Sequence, residues 1–342
     1  MSAPKLRLSV LDQSPVARGI GEDVAIRQTI EMALHCEALG YSRFWVSEHH
    51  GSQTIVGSAP EILVAAMAAR TTRIRVGTAG VLLPHYSPLK VAEQFRVLEA
   101  IAPGRVDLGL GRAPGTEGRM AYALNPHGDE AVERFPANVR DIVAWTSGAP
   151  LAEGHPFAQI RVAPNTPGAP EVWVLGSSDY GAQVAAFLGL PFCHAAFINE
   201  RGAGDAIALH RKLYKPSERW PTPIATACVF ALAAGTNEEA RHVFATRARS
   251  RLNRDLGIRL PLLPPDEALA DISPAEQARV DMIMADAIFG DGPTCAAKLR
   301  ALAARWGVEE LVVLTHAYRV EDRKTSFEIL AREFELATPA TA

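Results

Sequence analysis

The 342-residue chain is 48% hydrophobic and 21% charged, and its 35 Lys and Arg against 38 Asp and Glu leave a formal charge of −3. Its cations are scattered, with no basic run of about 5–8 residues to mark a nucleic-acid partner. No uncharged apolar run reaches the roughly 18 residues of a membrane span, and the N-terminus lacks a signal peptide's apolar core and cleavage site; the expected location is the cytoplasm.

Residues 6–11 (LRLSVL) read as a first strand. An amphipathic helix follows over residues 26–39, stopped by Gly40. FWVSE, residues 44–48, is the second strand, and Pro60 opens a helix to about residue 70. RIRVGTAGVLL, residues 73–83, is the third strand; Pro88 then starts a helix ending near residue 100. After a Pro-Gly turn, RVDLGLG gives the fourth strand. A polar excursion over residues 112–130 precedes a helix at 137–145 and the fifth strand, EVWVLG, at 171–176. A helix at 179–188, a strand at 191–195, a helix at 205–214, a strand at 224–232 and a helix at 237–252 continue the alternation. Residues 253–292 break it. A helix at 295–306, a strand at 310–315 and a closing helix at 326–336 complete the pattern.

Eight strands alternating with helices predict an α/β fold: a single (β/α)8 TIM barrel over residues 1–342, with an insertion after the seventh strand at about 253–292. A doubly wound sheet would place a glycine-rich turn after its first strand, where this chain has LDQSP. Cys36, Cys193, Cys228 and Cys295 form no C-x-x-C pair; they are expected to be buried free thiols, and no metal site is expected.

Such a barrel builds its site at the carboxyl ends of the strands. The second strand runs into Glu48-His49-His50. Neighbouring side chains alternate faces, so one imidazole at most points inward, either as a general base near neutral pH or in a hydrogen-bonded structural role. Gly77-Thr78-Ala79-Gly80 on the third strand admits either a flat ring close to the backbone or a strand bulge. Arg112 after the fourth strand is suited to a phosphate or to a surface salt bridge. Ser177 and Ser178 precede a helix, as an anion site or as ordinary caps.

Taken in order, FWVSEHH, RIRVGTAGVLLPHYSPLKVAEQ, GRVDLGLGR and VWVLGSS resemble the bacterial-luciferase-like flavin monooxygenase family. The resemblance implies an FMN-dependent monooxygenase that brings reduced FMN together with O2 and oxygenates a small, apolar organic substrate. It implies His49 as the catalytic base assisting oxygen activation. It places Ala79 and Gly80 against the isoalloxazine, often with a cis peptide between them, and Arg112, Ser177 and Ser178 on the FMN phosphate. Arg134 is out of register with a second phosphate-binding arginine of luciferase and is not assigned. Reduced flavin is expected from a separate NAD(P)H:flavin reductase, and a homodimer is expected. A deazaflavin-dependent oxidoreductase on the same fold and a non-catalytic flavin-binding protein are the alternatives. Substrate contacts are expected from residues 113–130, the Phe197 region and the insertion. Within the insertion, Leu256, Ile258, Leu260, Leu262 and Leu263 either roof an apolar pocket or form a surface hairpin.

Overall fold

The computed structural model describes residues 5–336 except Pro114 and Thr116, which fall within the excursion expected to contact substrate. Nine strands form one sheet: β1 (Arg7–Asp12), β2 (Arg43–Val46), β3 (Arg75–Leu82), β4 (Val106–Gly111), β5 (Glu171–Gly176), β6 (Phe192–Ala195), β7 (Ala225–Ala233), β8 (Ile288–Gly290) and β9 (Glu310–Leu314). Their order is β6-β5-β4-β3-β2-β1-β9-β7-β8, and an additional β6–β7 pairing closes eight of them into a parallel TIM barrel. The ninth, β8, pairs in parallel with the end of β7.

Helices occupy the connections. They are α1 (Glu22–Ala38), α2 (Pro60–Ala68), α3 (Pro88–Ile101), α4 (Gly118–Leu124), α5 (Gly128–Glu133), α6 (Phe135–Ser147), α7 (Asp179–Leu188) and α8 (Ala203–Leu213). After β7 come α9 (Asn237–Asp255), α10 (Pro265–Ala268), α11 (Pro274–Ala285), α12 (Gly292–Trp306) and α13 (Val320–Glu333).

The structure corrects the sequence reading in four places. Among the described residues there are nine strands, because the insertion itself contributes β8; three residues are too few to show a period. The polar excursion carries two short helices, α4 and α5, neither with a buried residue, so hydrophobic periodicity could not reveal them. The closing helix starts at Val320, six residues earlier than expected. Residues 256–263 are not a hairpin. Leu256, Ile258 and Leu260 are exposed, whereas Leu262 is buried and bridges in parallel to Ala17.

The chain divides into two compact units. One comprises Arg43–Gly51 and Gly57–Ala227, carrying β2 to β6; the other holds β1, β8, β9 and most of β7. In the first, the amino ends of the strands are tied by buried charge. Asp107 of β4 accepts from Arg43 Nη1 (2.9 Å), Arg75 Nη2 (2.6 Å) and Trp45 Nε1 (2.8 Å), and Arg43 also meets Glu171 of β5 at 2.8 Å. A buried carboxylate is tolerated because its lone pairs are filled by charged donors. In the second unit, Asp12 at the end of β1 forms a buried ion pair with Arg323 and accepts from the Ser14 backbone (2.7 Å) and Thr29 Oγ1 (2.9 Å). All four cysteines are buried thiols outside any disulfide. No helix among the described residues is long and apolar enough to cross a membrane.

Candidate active site

The residues singled out from the sequence at the carboxyl ends of β2 to β5 all lie in the first unit. Beyond β2 the chain leaves the sheet but stays tied down: the His49 backbone N–H donates to Gly57 O at 2.9 Å. The two histidines diverge, as alternation requires. His49 Nδ1 lies 3.1 Å from Ser47 Oγ, whereas His50 Nε2 meets Glu48 Oε1 at 2.6 Å. Burial, and secondarily the neighbouring His50, lowers the His49 pKa from 6.5 to about 4. At neutral pH His49 is therefore a neutral imidazole, with one N–H and one lone pair.

Glu48 is the hub that the sequence reading left unassigned. Its buried carboxylate accepts from Leu82 N–H (2.9 Å), Tyr86 Oη (2.6 Å) and His50 Nε2 (2.6 Å). These bonds tie the segment after β2 to the end of β3 and the turn beyond it. Burial, then the Glu48 contact, raises the Tyr86 pKa, so its hydroxyl stays a donor. An acidic residue ending the apolar run FWVSE was the available signal.

On β3 the bulge reading of the small-residue segment holds. The register against β4 shifts between Thr78 and Val81, a bulge, and the Ala79–Gly80 peptide bond is cis, as the resemblance implies. The glycines are needed by the sheet itself. A Cβ on Gly77 would meet Asp107 O at 2.2 Å, one on Gly80 would meet Leu175 Cδ1 at 2.6 Å, and one on Gly109 would meet Thr78 O at 2.1 Å. Ala79 and Gly80 nonetheless remain half-buried rather than sealed.

Arg112 follows β4 and is exposed; its guanidinium carbon sits 3.9 Å from the centroid of the Tyr180 ring in the first turn of α7. Among the described residues no carboxylate pairs with it. Ser178 is the N-cap residue of α7, yet its side chain makes no cap hydrogen bond. Ser177 is held through its carbonyl, which accepts from Asn199 Nδ2 at 3.0 Å, while the Asn199 carbonyl accepts from His194 Nε2 at 2.8 Å. The structure thus brings Arg112 to the helix start that carries Ser177 and Ser178. Arg134, left out of the site, is exposed at the junction of α5 and α6.

The luciferase-like monooxygenase family model matches residues 6–310. The chain belongs to that family. It is similar to the uncharacterized protein YwcH of Bacillus subtilis, at 41% identity over 96% of this chain and 98% of the relative. It is similar also to an N-acetyl-S-alkylcysteine monooxygenase of Bacillus subtilis, at 32% identity over 95% and 97%. The solved structure of apo-MsnO8 superposes with a TM-score of 0.89 at 34% identity, covering 98% of this chain and all of that one. More distant structures share the fold alone. They include a type II Baeyer–Villiger monooxygenase in complex with FMN (20% identity, TM-score 0.65) and an F420-dependent secondary alcohol dehydrogenase (14%, 0.68).

This luciferase-like monooxygenase is accordingly an oxygen-incorporating oxidoreductase. Its candidate site pairs a neutral imidazole and a saturated carboxylate after β2 with a cationic, hydroxyl-bearing helix start after β5. The first set can hold or pass a proton; the second is suited to an anion.

Proposed function

We propose that this luciferase-like monooxygenase binds reduced FMN and uses O2 to oxygenate a small organic molecule. The observation that carries the reading is the Arg112–Tyr180 stack at the start of α7, beside Ser177 and the N-cap residue Ser178, whose hydroxyl makes no capping bond. A phosphate monoester dianion fits that donor set: a guanidinium, two hydroxyls and the free N–H groups of the first helical turn. The half-buried backbone of Ala79 and Gly80 is the surface offered to the flat ring system.

Reduced flavin supplies the two electrons that convert one O2 into an inserted oxygen atom and water. His49 works beside it as a neutral imidazole. Ser47 engages Nδ1 and fixes the ring, leaving Nε2 to orient or transiently accept a proton. Glu48, already filled by three donors, positions this segment rather than exchanging protons itself. Reduced flavin is delivered by a separate NAD(P)H:flavin reductase, and the protein functions in the cytoplasm as a homodimer of single-domain chains.

Anaerobic titration of the purified protein with FMN, reduced FMN and the deazaflavin F420 tests the reading, followed by oxygen-uptake assays. Binding of reduced FMN at micromolar concentration with substrate-dependent oxygen uptake is expected. Binding of F420 alone would replace the reading with a hydride-transfer enzyme, and flavin binding without turnover would replace it with a carrier.

A further inference from the structure

The serines at the start of α7 are held from behind by Asn199, in the turn after β6. Its side chain bonds at both ends: Nδ2 donates to Ser177 O at 3.0 Å, and Oδ1 accepts from the Gly202 N–H at 3.2 Å. A carbonyl on one side and an N–H on the other admit a single orientation of the amide. The main chain of Asn199 is fixed as well, its N–H donating to Ala195 O at 3.2 Å and its carbonyl accepting from His194 Nε2 at 2.8 Å. One residue thus joins the segment after β5 to the start of α8 and is itself seated on β6.

His194 has no exposed surface. Because its partner is a carbonyl, Nε2 carries the proton, and the Nδ1 lone pair finds no donor among the described residues. Burial holds its pKa below the ordinary value, so the ring is neutral. An unmet buried acceptor is costly, and an apolar side chain would fill the same layer without that cost. The bond to Asn199 is what the imidazole adds.

The bond to Ser177 O also acts on the atom beyond it. In a planar trans peptide the carbonyl and the following N–H point to opposite sides, so a Ser177 carbonyl fixed toward Asn199 turns the Ser178 N–H away from it. Among the described residues that N–H has no backbone acceptor, and the Ser178 hydroxyl makes no cap bond. Arg112 lies over Tyr180 in the same helical turn.

We propose that Asn199, seated by His194, is a positioning residue that aims the Ser177–Ser178 segment at the flavin phosphate. This rests on the reading of Arg112 and the start of α7 as the FMN phosphate site. Gly202 makes the clamp separable from the fold. A Cβ there would stand 2.6 Å from Asn199 Nδ2, the end of an exposed side chain that can swing aside, so Gly202→Ala displaces the amide and little else.

Anaerobic titrations with FMN and with riboflavin, each paired with a thermal melt, test this. The wild type is expected to prefer FMN. Asn199→Ala and Gly202→Ala are each expected to weaken FMN binding about fivefold, the net worth of one hydrogen bond, and to leave riboflavin binding unchanged. His194→Phe is expected to show the same selective loss, and His194→Gln, whose amide nitrogen replaces Nε2, to recover part of it. Where a His194 variant does not fold, the two variants at Asn199 and Gly202 decide. An unchanged FMN-to-riboflavin ratio in both of these, or equal losses for the two flavins alongside a lower melting temperature, overturns the clamp and leaves the flavin reading standing. A wild type that binds neither flavin defeats the flavin reading, and the clamp falls with it.

Discussion

Arg112 lies with its guanidinium carbon 3.9 Å from the centroid of the Tyr180 ring, which joins the end of β4 to the first turn of α7. The stack orders a cation that has no carboxylate partner among the described residues, and it does so beside Ser177 and Ser178. If this is where the FMN phosphate is held, Arg112→Ala should weaken FMN binding by about 1.5–3 kcal/mol, roughly tenfold to hundredfold, as expected for a charged hydrogen-bond donor. Riboflavin, which lacks the phosphate, should bind both proteins alike. Tyr180→Leu should produce a smaller loss in the same direction. Equal losses for FMN and riboflavin would show that Arg112 supports the loop and not the phosphate.

His49 should make the fold acid-sensitive. Its folded-state pKa of about 4 lies below the ordinary 6.5, so the native state binds fewer protons than the unfolded chain across that window. The contribution is complete above pH 6.5 and is lost as pH falls toward 4, with an upper bound of about 3 kcal/mol. Urea unfolding at pH 7.5 and 4.5 should therefore show a smaller pH difference for His49→Gln than for the wild type. The rate of oxygenation should show no His49-dependent limb between pH 5.5 and 8, because the imidazole is neutral throughout. A limb near 6.5 that disappears in His49→Gln would mean that the ring is far less buried than its surroundings indicate.

The glycines of β3 and β4 separate packing from function. At Gly109 a methyl group would sit 2.1 Å from Thr78 O, so Gly109→Ala must push apart two paired strands. A cost of about 3 kcal/mol or more is expected, typical of overpacking in a rigid core. Gly118 has open space around its missing Cβ, and Gly118→Ala should change stability by no more than about 0.5 kcal/mol. Thermal melting of the two variants compares them directly.

The barrel was legible because the strands and helices announce themselves locally. The helix at 179–188 coincides with α7, and Gly40, at φ +84°, stops the first helix as expected, although that helix begins four residues earlier, at Glu22. What could not be read depends on contacts between distant residues. Glu48 meets Leu82 and Tyr86, 34 and 38 positions away, and no period in the sequence encodes those distances. Tyr180 gave no sign of its partner because a ring in a helix's first turn ordinarily packs inward. The insertion did carry one overlooked signal: Ser273 and Glu276 form a capping box at the start of α11, a Ser-x-x-Glu pattern visible in the sequence.

Glu48 provides the sharpest separation of positioning from proton transfer. Its carboxylate oxygens receive three donors, two of them from the β3 end and the turn after it. Glu48→Gln replaces an acceptor-only group by one that brings two N–H donors of its own, so Tyr86 and His50 must reverse their hydrogen bonds to it or give them up. Leaving such a buried donor unmet costs about 1–3 kcal/mol, and chemical unfolding should register that loss. Tyr86→Phe removes one donor and leaves the carboxylate two, so it should cost less, about 1 kcal/mol. Flavin binding should persist in both variants, because neither residue is assigned to the phosphate. The decisive measurement is coupling of oxygen uptake to product: released His50 and a loosened His49 segment should raise hydrogen peroxide at the expense of product. If Glu48→Gln alters stability while coupling stays at the wild-type value, the carboxylate holds the fold and does not position His49.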